Sequence, residues 1–317
     1  MKILVTGGCG YKGSVLIPKL LKHNHEIISV DTKWFGDYLP HHKNLLNIKT
    51  DIRNIDKIPM EGVDAIIHLA NIANDPAVDL NPTLSWEINV LASQQLADKA
   101  VRNNIKQFIF ASSGSVYGVK KEDKVTEDLE LVPISVYNKT KMVAERIFLS
   151  YKDQMQIHCI RPATVCGISP RMRLDVSVNM LTMHALKNNM INVFGGDQTR
   201  PNIHIQDIVN IYIHFLNNSH FNSGCYNAGF ENMSIKEIAL KIQKKTNADI
   251  QITESNDPRS YRQDSSKLLK TGFKPKYTID DAIDQIISAY ESGDLVDHES
   301  CYTVKWMKKN KFENSDL

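Results

Sequence analysis

Thr6-Gly7-Gly8-Cys9-Gly10-Tyr11-Lys12-Gly13 constrains this chain more than any other stretch. A β-rich run, residues 2–6, leads into it, and apolar helical spacing at Val15, Leu16, Leu20 and Leu21 follows it. Glycines at 7, 10 and 13, between a strand and a helix, permit a tight turn and a close approach of backbone to a ligand. The first N–H groups of the helix then face that ligand, at the positive end of the helix dipole. This is the geometry of a βα unit that cradles a pyrophosphate. The spacing is Gly-x-x-Gly-x-x-Gly, and by itself it also suits a glycine turn with no ligand.

The pattern repeats along the first half of the chain. Strand-like runs at 26–30, 47–50, 65–69, 107–111 and 156–160 alternate with helical periodicity at 82–103 and 136–151. Alternation of this kind predicts an α/β fold of the Rossmann type, a doubly wound parallel sheet covered on both faces and connected right-handedly. Residues 1–165 read as the dinucleotide-binding domain. From 166 to 296 the helices (176–187, 206–217, 234–246 and 279–291) mix with short segments. That reads as a smaller, mixed, mainly substrate-binding region, with some chain returning to the first domain. Residues 297–317 are polar and basic and read as a tail, either a short helix or loose.

The length of 317 residues accommodates one large core or two fused ones. A net charge of +2, from 38 basic and 36 acidic side chains, gives no field for nucleic acid or a membrane surface. No apolar run approaches the length of a bilayer span, and the glycines at 7 and 8 interrupt the start before a signal core forms. The five cysteines lack metal spacing, so no metal site is expected, and they read as reduced thiols of a cytoplasmic protein.

Asp31 closes the second strand, 21 residues past Gly10. A carboxylate there accepts both hydroxyls of an adenosine ribose and repels a 2′-phosphate, which favours NAD over NADP; Lys33 is the opposing signal. Asp51-Ile52 after the third strand and His68-Leu69-Ala70 after the fourth are placed to contact the same cofactor. His68 reads as a packed histidine.

Tyr137 and Lys141 are four apart and share a helix face. A neighbouring ammonium and a cationic nicotinamide both favour phenolate, so Tyr137 suits a base near neutral pH. Ser113, at a strand end upstream, is placed to hydrogen-bond the same substrate oxygen.

With these residues the chain resembles the extended short-chain dehydrogenase/reductases, the NAD-dependent nucleotide-sugar epimerase/dehydratase family. The likeness runs from residue 1 to about 290, on TGGCGYKG (6–13), HLA (68–70), SSGSVYG (112–118), YNKTK (137–141), RPATVCG (161–167), RPNIHIQDI (200–208) and RSYRQDSSK (259–267). It implies Ser113, Tyr137 and Lys141 as catalytic residues and Lys141 as a holder of the nicotinamide ribose. It adds Gly7, Gly10, Tyr11, Lys12, Asp31, Asp51, Ile52, Leu69, Ala70, Asn89 and Thr164 as the cofactor shell, with Asn89 supporting the site geometry. Ser113, Ser115, Asn179, Arg200 and Arg259 are implied for the substrate, the arginines on its diphosphate, with Arg171 and Arg173 close by. The implied partner is a nucleotide-diphosphate sugar, and the implied assembly is a homodimer through helices 82–103 and 136–151.

The family's 4,6-dehydratases carry an Asp-Glu pair after the catalytic hydroxyl residue. Gly114 and Ser115 stand there, which argues against water elimination and for an epimerase that oxidises C4 and returns the hydride. Many UDP-galactose epimerases have asparagine at the place of Thr164. The segment 167–175 resembles a subgroup that includes GDP-heptose C4 dehydrogenases, so a C4 dehydrogenase or keto-sugar reductase is the alternative. A non-enzymatic NAD-binding scaffold is disfavoured, because no catalytic residue is missing.

Overall fold

The structure is a computed structural model that describes residues 1–254 and 260–312. Strand β1 (Lys2–Thr6) enters the glycine turn, and helix α1 (Gly13–Lys22) leaves it. Helix α1 buries Val15, Leu16, Leu20 and Leu21, the apolar positions seen in the sequence, together with Ile17. Strands β2 (Glu26–Asp31), β3 (Leu45–Lys49) and β4 (Ala65–His68) follow.

The segment read as one helix over 82–103 is built in three pieces. After a short helix α2 (Asp75–Val78), helix α3 (Pro82–Trp86) passes through a π-helical turn, Glu87–Leu91, into α4 (Ala92–Arg102). Asn89 lies within this π-turn and is buried. Strand β5 (Gln107–Ala111), helix α5 (Val136–Ser150) and strand β6 (Gln156–Pro162) complete the repeating half.

The second half contributes β7 (Thr164–Cys166), α6 (Ser177–Asn188), β8 (Met190–Phe194), β9 (Thr199–His204), α7 (Ile205–Asn217) and β10 (Gly224–Ala228). Then come β11 (Glu231–Ser234), α8 (Ile235–Thr246), β12 (Asp249–Thr253), α9 (Ser266–Leu269), α10 (Ile279–Glu291) and α11 (Thr303–Lys309).

Seven parallel strands form the main sheet in the order β10-β6-β5-β4-β1-β2-β3. The order reverses direction at β1, with β2 on one side and β4 on the other. In sheets of this type the crevice outside the carboxyl ends at that point is the ligand site. Strand β10 pairs with β6, so chain from beyond residue 166 returns to the first sheet. Two small sheets, β11-β9-β7 and β12-β8, build the region above it.

Residues 299–312, polar and basic in sequence, fold as a short turn and α11. Met307 and Phe312 are buried. Phe312 meets Trp34 edge-on at 4.5 Å between ring centroids, and Trp306 meets Phe35 at 4.8 Å. The lysines of this segment alternate with apolar residues that only a tertiary partner uses. No described helix is long and apolar enough to cross a membrane.

Candidate active site

One cavity of about 940 Å³ lies along the carboxyl ends of β1 to β6, roofed by residues from β7, β9 and the C-terminal segment. Its floor is the glycine turn. Gly7 has φ +73°, and a Cβ there would lie 2.6 Å from the Ala70 nitrogen; one at Gly13 would lie 2.5 Å from the carbonyl oxygens of Gly7 and Gly8. Glycine is required at both places for the backbone to pack this closely.

Asp31 accepts hydrogen bonds from the backbone N–H of Cys9 (3.0 Å) and Lys33 (2.6 Å), which fixes its carboxylate at the cavity wall. Burial pushes its pKa up, against those two donors. Lys33, the residue that favours a 2′-phosphate, instead pairs with Asp37 at 2.7 Å. The glycine cradle and the anchored Asp31 therefore fit an NAD-type dinucleotide. Gly10, Tyr11, Lys12, Asp51, Ile52, Leu69, Ala70 and Thr164 all line the same cavity.

Ser113, Tyr137 and Lys141 also meet there. Ser113 caps the turn after β5. Its Oγ lies 2.7 Å from Ser115 Oγ and accepts from the Ser115 N–H at 3.2 Å. Tyr137 stands on the first turn of α5, which starts where Ser135 accepts from the Asn138 N–H at 3.1 Å. Burial pushes the Tyr137 phenol up to about 12, while a hydrogen bond from Ser113 and the nearby Arg173 pull it back. Lys141 is buried, donates to the Ala111 carbonyl at 2.8 Å, and has its ammonium 6.0 Å from the Tyr137 ring centroid. Burial, then the charge of Lys12, holds its pKa well below that of an ordinary lysine.

A buried polar network supports the strand end that carries Ser113. Ser112 donates to Glu145 at 2.5 Å, Glu145 pairs with Arg161 through two N–H donors at 2.8 and 2.9 Å, and Arg161 donates to the Tyr117 hydroxyl at 2.7 Å. Both ionic partners are satisfied, as buried charges must be.

Two expected cofactor or substrate contacts face inward instead. Asn89 accepts from the Ile72 N–H (2.8 Å) and donates to the Ile72 carbonyl (3.1 Å) and Thr140 Oγ1 (3.2 Å). It braces the loop after β4 against α5 and does not line the cavity. Asn179, fully buried, accepts from the Gly167 N–H at 2.9 Å and donates to the Tyr11 hydroxyl at 3.0 Å and the Arg173 carbonyl at 2.8 Å. Its amide holds the 167–173 turn onto the glycine loop. Ser115 and Arg200 line the cavity; Arg259 lies outside the described residues. His68 is packed between Thr6 (2.6 Å) and Ser93 (2.9 Å), away from the cavity.

Arg171 and Arg173, expected near the diphosphate, line the same cavity. Arg171 is buried, lies 4.0 Å from the Phe35 ring centroid and donates to Thr303 Oγ1 at 3.2 Å. Arg173 pairs with Asp175 at 2.8 Å, and Asp175 also accepts from the Thr303 N–H at 3.0 Å. Thr303, Lys305, Met307 and Lys308 of the C-terminal segment complete the wall. The alternation of Val304, Trp306 and Met307 with lysines was the only available hint of a docked helix.

Residues 3–229 match the family model for the NAD dependent epimerase/dehydratase family. The uncharacterized UDP-glucose epimerase YtcB of Bacillus subtilis is 34% identical over 260 residues, 77% of this chain and 81% of that protein. The UDP-glucose 4-epimerase of Lactobacillus helveticus is 28% identical, over 89% of this chain and 95% of its own. Among solved structures, a Bacillus cereus UDP-glucuronic acid 4-epimerase, in complex with NAD and a fluorinated UDP-glucuronic acid, superposes with a TM-score of 0.80 at 27% identity, over 92% of this chain and 100% of that one. Glycine cradle, anchored Asp31, the Ser113–Tyr137–Lys141 grouping and these matches together place the chain in the NAD-dependent epimerase/dehydratase family, whose cofactor is NAD.

Proposed function

We propose that this protein is a nucleotide-sugar 4-epimerase, acting on a UDP-sugar as the first candidate class. The convergence of Ser113, Tyr137 and Lys141 on one wall of the dinucleotide cavity carries the reading. NAD, when bound, supplies the hydride acceptor and later the donor. Tyr137 takes the proton of the sugar C4 hydroxyl as the C4 hydride departs, and the C–O bond becomes a carbonyl. Ser113 donates to that oxygen. Lys141 orients the nicotinamide ribose and favours the phenolate. Rotation of the keto sugar, then return of hydride to its other face and of the proton from Tyr137, gives the C4 epimer. Arg200, with Arg171 and Arg173, provides positive charge for the diphosphate.

Elimination of water needs an acid and a base beyond Tyr137. Gly114 and Ser115 supply neither, and a Cβ at 114 would already lie 3.2 Å from the Gln263 amide and the Pro162 carbonyl. That crowding supports an epimerase over a 4,6-dehydratase. A C4 dehydrogenase uses the same first step and stops after it, and a keto-sugar reductase runs that step in reverse with hydride from NADH; the 167–175 segment is what favours the dehydrogenase.

The assay is a panel of UDP-, GDP-, CDP- and dTDP-sugars incubated with enzyme and NAD, read by NMR and mass spectrometry. A product of unchanged mass with inverted C4 is expected. A product lighter by two hydrogens would make the enzyme a dehydrogenase, and loss of water would sink the argument from Gly114.

The same proposal includes a cytoplasmic homodimer. All five cysteines are free. Trp86 and Leu91, 37% and 53% exposed, stand on the helical segment assigned to the interface. Light scattering at micromolar concentration is expected to give twice the chain mass.

A further inference from the structure

Lys12 stands just before the first turn of α1 and is half-buried. Together with Val15 and Leu16, at i+3 and i+4, it falls on the inner face of α1, and both of those are buried. Its ammonium enters the cavity and stands 5.9 Å from the Tyr212 ring centroid. Among the described residues no carboxylate or carbonyl accepts from it. The carboxylate beside Arg173, Asp175, is engaged by Arg173 and the Thr303 N–H. The charges Lys12 feels are Arg173 and Lys141, both positive. Burial and Arg173 together bring its pKa down to about 8. A lysine held unpaired among cations, where an apolar residue would stabilise the fold, breaks a local rule in a way that points to function.

The backbone N–H groups of the glycine turn face the pyrophosphate. The Lys12 side chain runs inward from that turn, toward the Tyr212 ring and within electrostatic reach of Lys141, which stands beside Tyr137 at the reacting end. The oxidised nicotinamide ring carries a positive charge and the reduced ring is neutral. A fixed cation nearby raises the energy of the oxidised form alone.

We propose that Lys12 tunes the bound cofactor, favouring NADH over NAD+ and so drawing hydride off the substrate. This rests on the reading of Ser113, Tyr137 and Lys141 as the nicotinamide end of the site. Lys12 acts through the cofactor and is a tuning residue, not a proton carrier.

The test uses cofactor-stripped protein and no sugar, so it stands whether or not the epimerase assay succeeds. Dissociation constants for NAD+ and NADH are measured by calorimetry at pH 7 for the wild type and for Lys12→Met, Lys12→Gln and Lys12→Arg. The ratio of NADH to NAD+ affinity is expected to fall about tenfold in the Met and Gln variants, about 1.4 kcal/mol, and to be kept by Arg. The apo Met variant is expected to melt higher than the wild type, because an unpaired, half-buried charge is removed. Equal weakening of both cofactor forms would overturn the proposal and assign Lys12 to the pyrophosphate. An unchanged ratio in the Gln variant would overturn it as well.

Discussion

At the scale of single residues, the proposed reaction gives Tyr137 the proton transfer and Ser113 a hydrogen bond to the developing carbonyl. Tyr137→Phe removes the base and is expected to lower kcat by about 10²–10⁴ while NAD still binds, since Lys141 keeps its hold on the strand end. Ser113→Ala removes a donor to the developing carbonyl and is expected to cost about 10²–10³ in kcat. Steady-state kinetics beside a cofactor-binding isotherm separates the two effects. A Tyr137→Phe variant with undiminished turnover would dismiss the tyrosine from the chemistry. Both residues were legible in sequence, because a strand-end serine and a Tyr-x-x-x-Lys pair are local patterns. Asn89 and Asn179 were legible as polar residues on helices but not in their direction. An amide aimed at Ile72 and one aimed at Tyr11 are indistinguishable, in sequence, from amides aimed at a ligand.

At the scale of elements, Asn89 stands in the π-turn of the 82–103 segment. Its amide satisfies both backbone groups of Ile72, and Asn89→Ala leaves them buried and unpaired. A loss of about 1–3 kcal/mol in stability is expected from urea unfolding. The Glu145–Arg161 pair joins α5 to β6 with both partners nearly fully buried. Removing one charge strands the other, so Arg161→Met is expected to cost about 3–5 kcal/mol. A cost under about 1 kcal/mol in the same unfolding assay would mean that the pair does not hold α5 to β6.

Buried histidines on the strands add an acid sensitivity. Burial holds His68 of β4 down to about 3 and His158 of β6 down to about 4. In the unfolded chain both take protons near pH 6.5, where the folded protein refuses them. Their contribution is thus whole above about pH 6.5 and is lost as pH falls through the folded values, at up to about 1.4 kcal/mol per pH unit for each histidine. Urea midpoints measured from pH 7 to pH 4 are expected to fall, and more gently in His68→Gln.

At the scale of the whole molecule, the C-terminal segment closes the cofactor cavity. Phe312 and Trp306 dock on Trp34 and Phe35, and Thr303 ties to Arg171 and Asp175. A chain ending at residue 296 is expected to release NADH faster, with a lower melting temperature, in a stopped-flow displacement assay. Release as slow as in the full chain would reduce the segment to a surface decoration.

The sequence by itself determined the parallel sheet, the glycine cradle, Asp31 and the Ser113–Tyr137–Lys141 grouping. Each rests on periodicity or on spacing within one or two neighbouring elements, where backbone geometry converts sequence separation into position. Tertiary structure alone decided that Lys12 faces the cavity unpaired, that Arg173 spends its charge on Asp175, and that a lysine-rich C-terminus is a wall of the site. The first and last depend on contacts between segments more than a hundred residues apart, and the local Arg173–Asp175 pair is held in place by Thr303 from 128 residues away. Whether a charge finds a partner there is settled only when the whole core has closed.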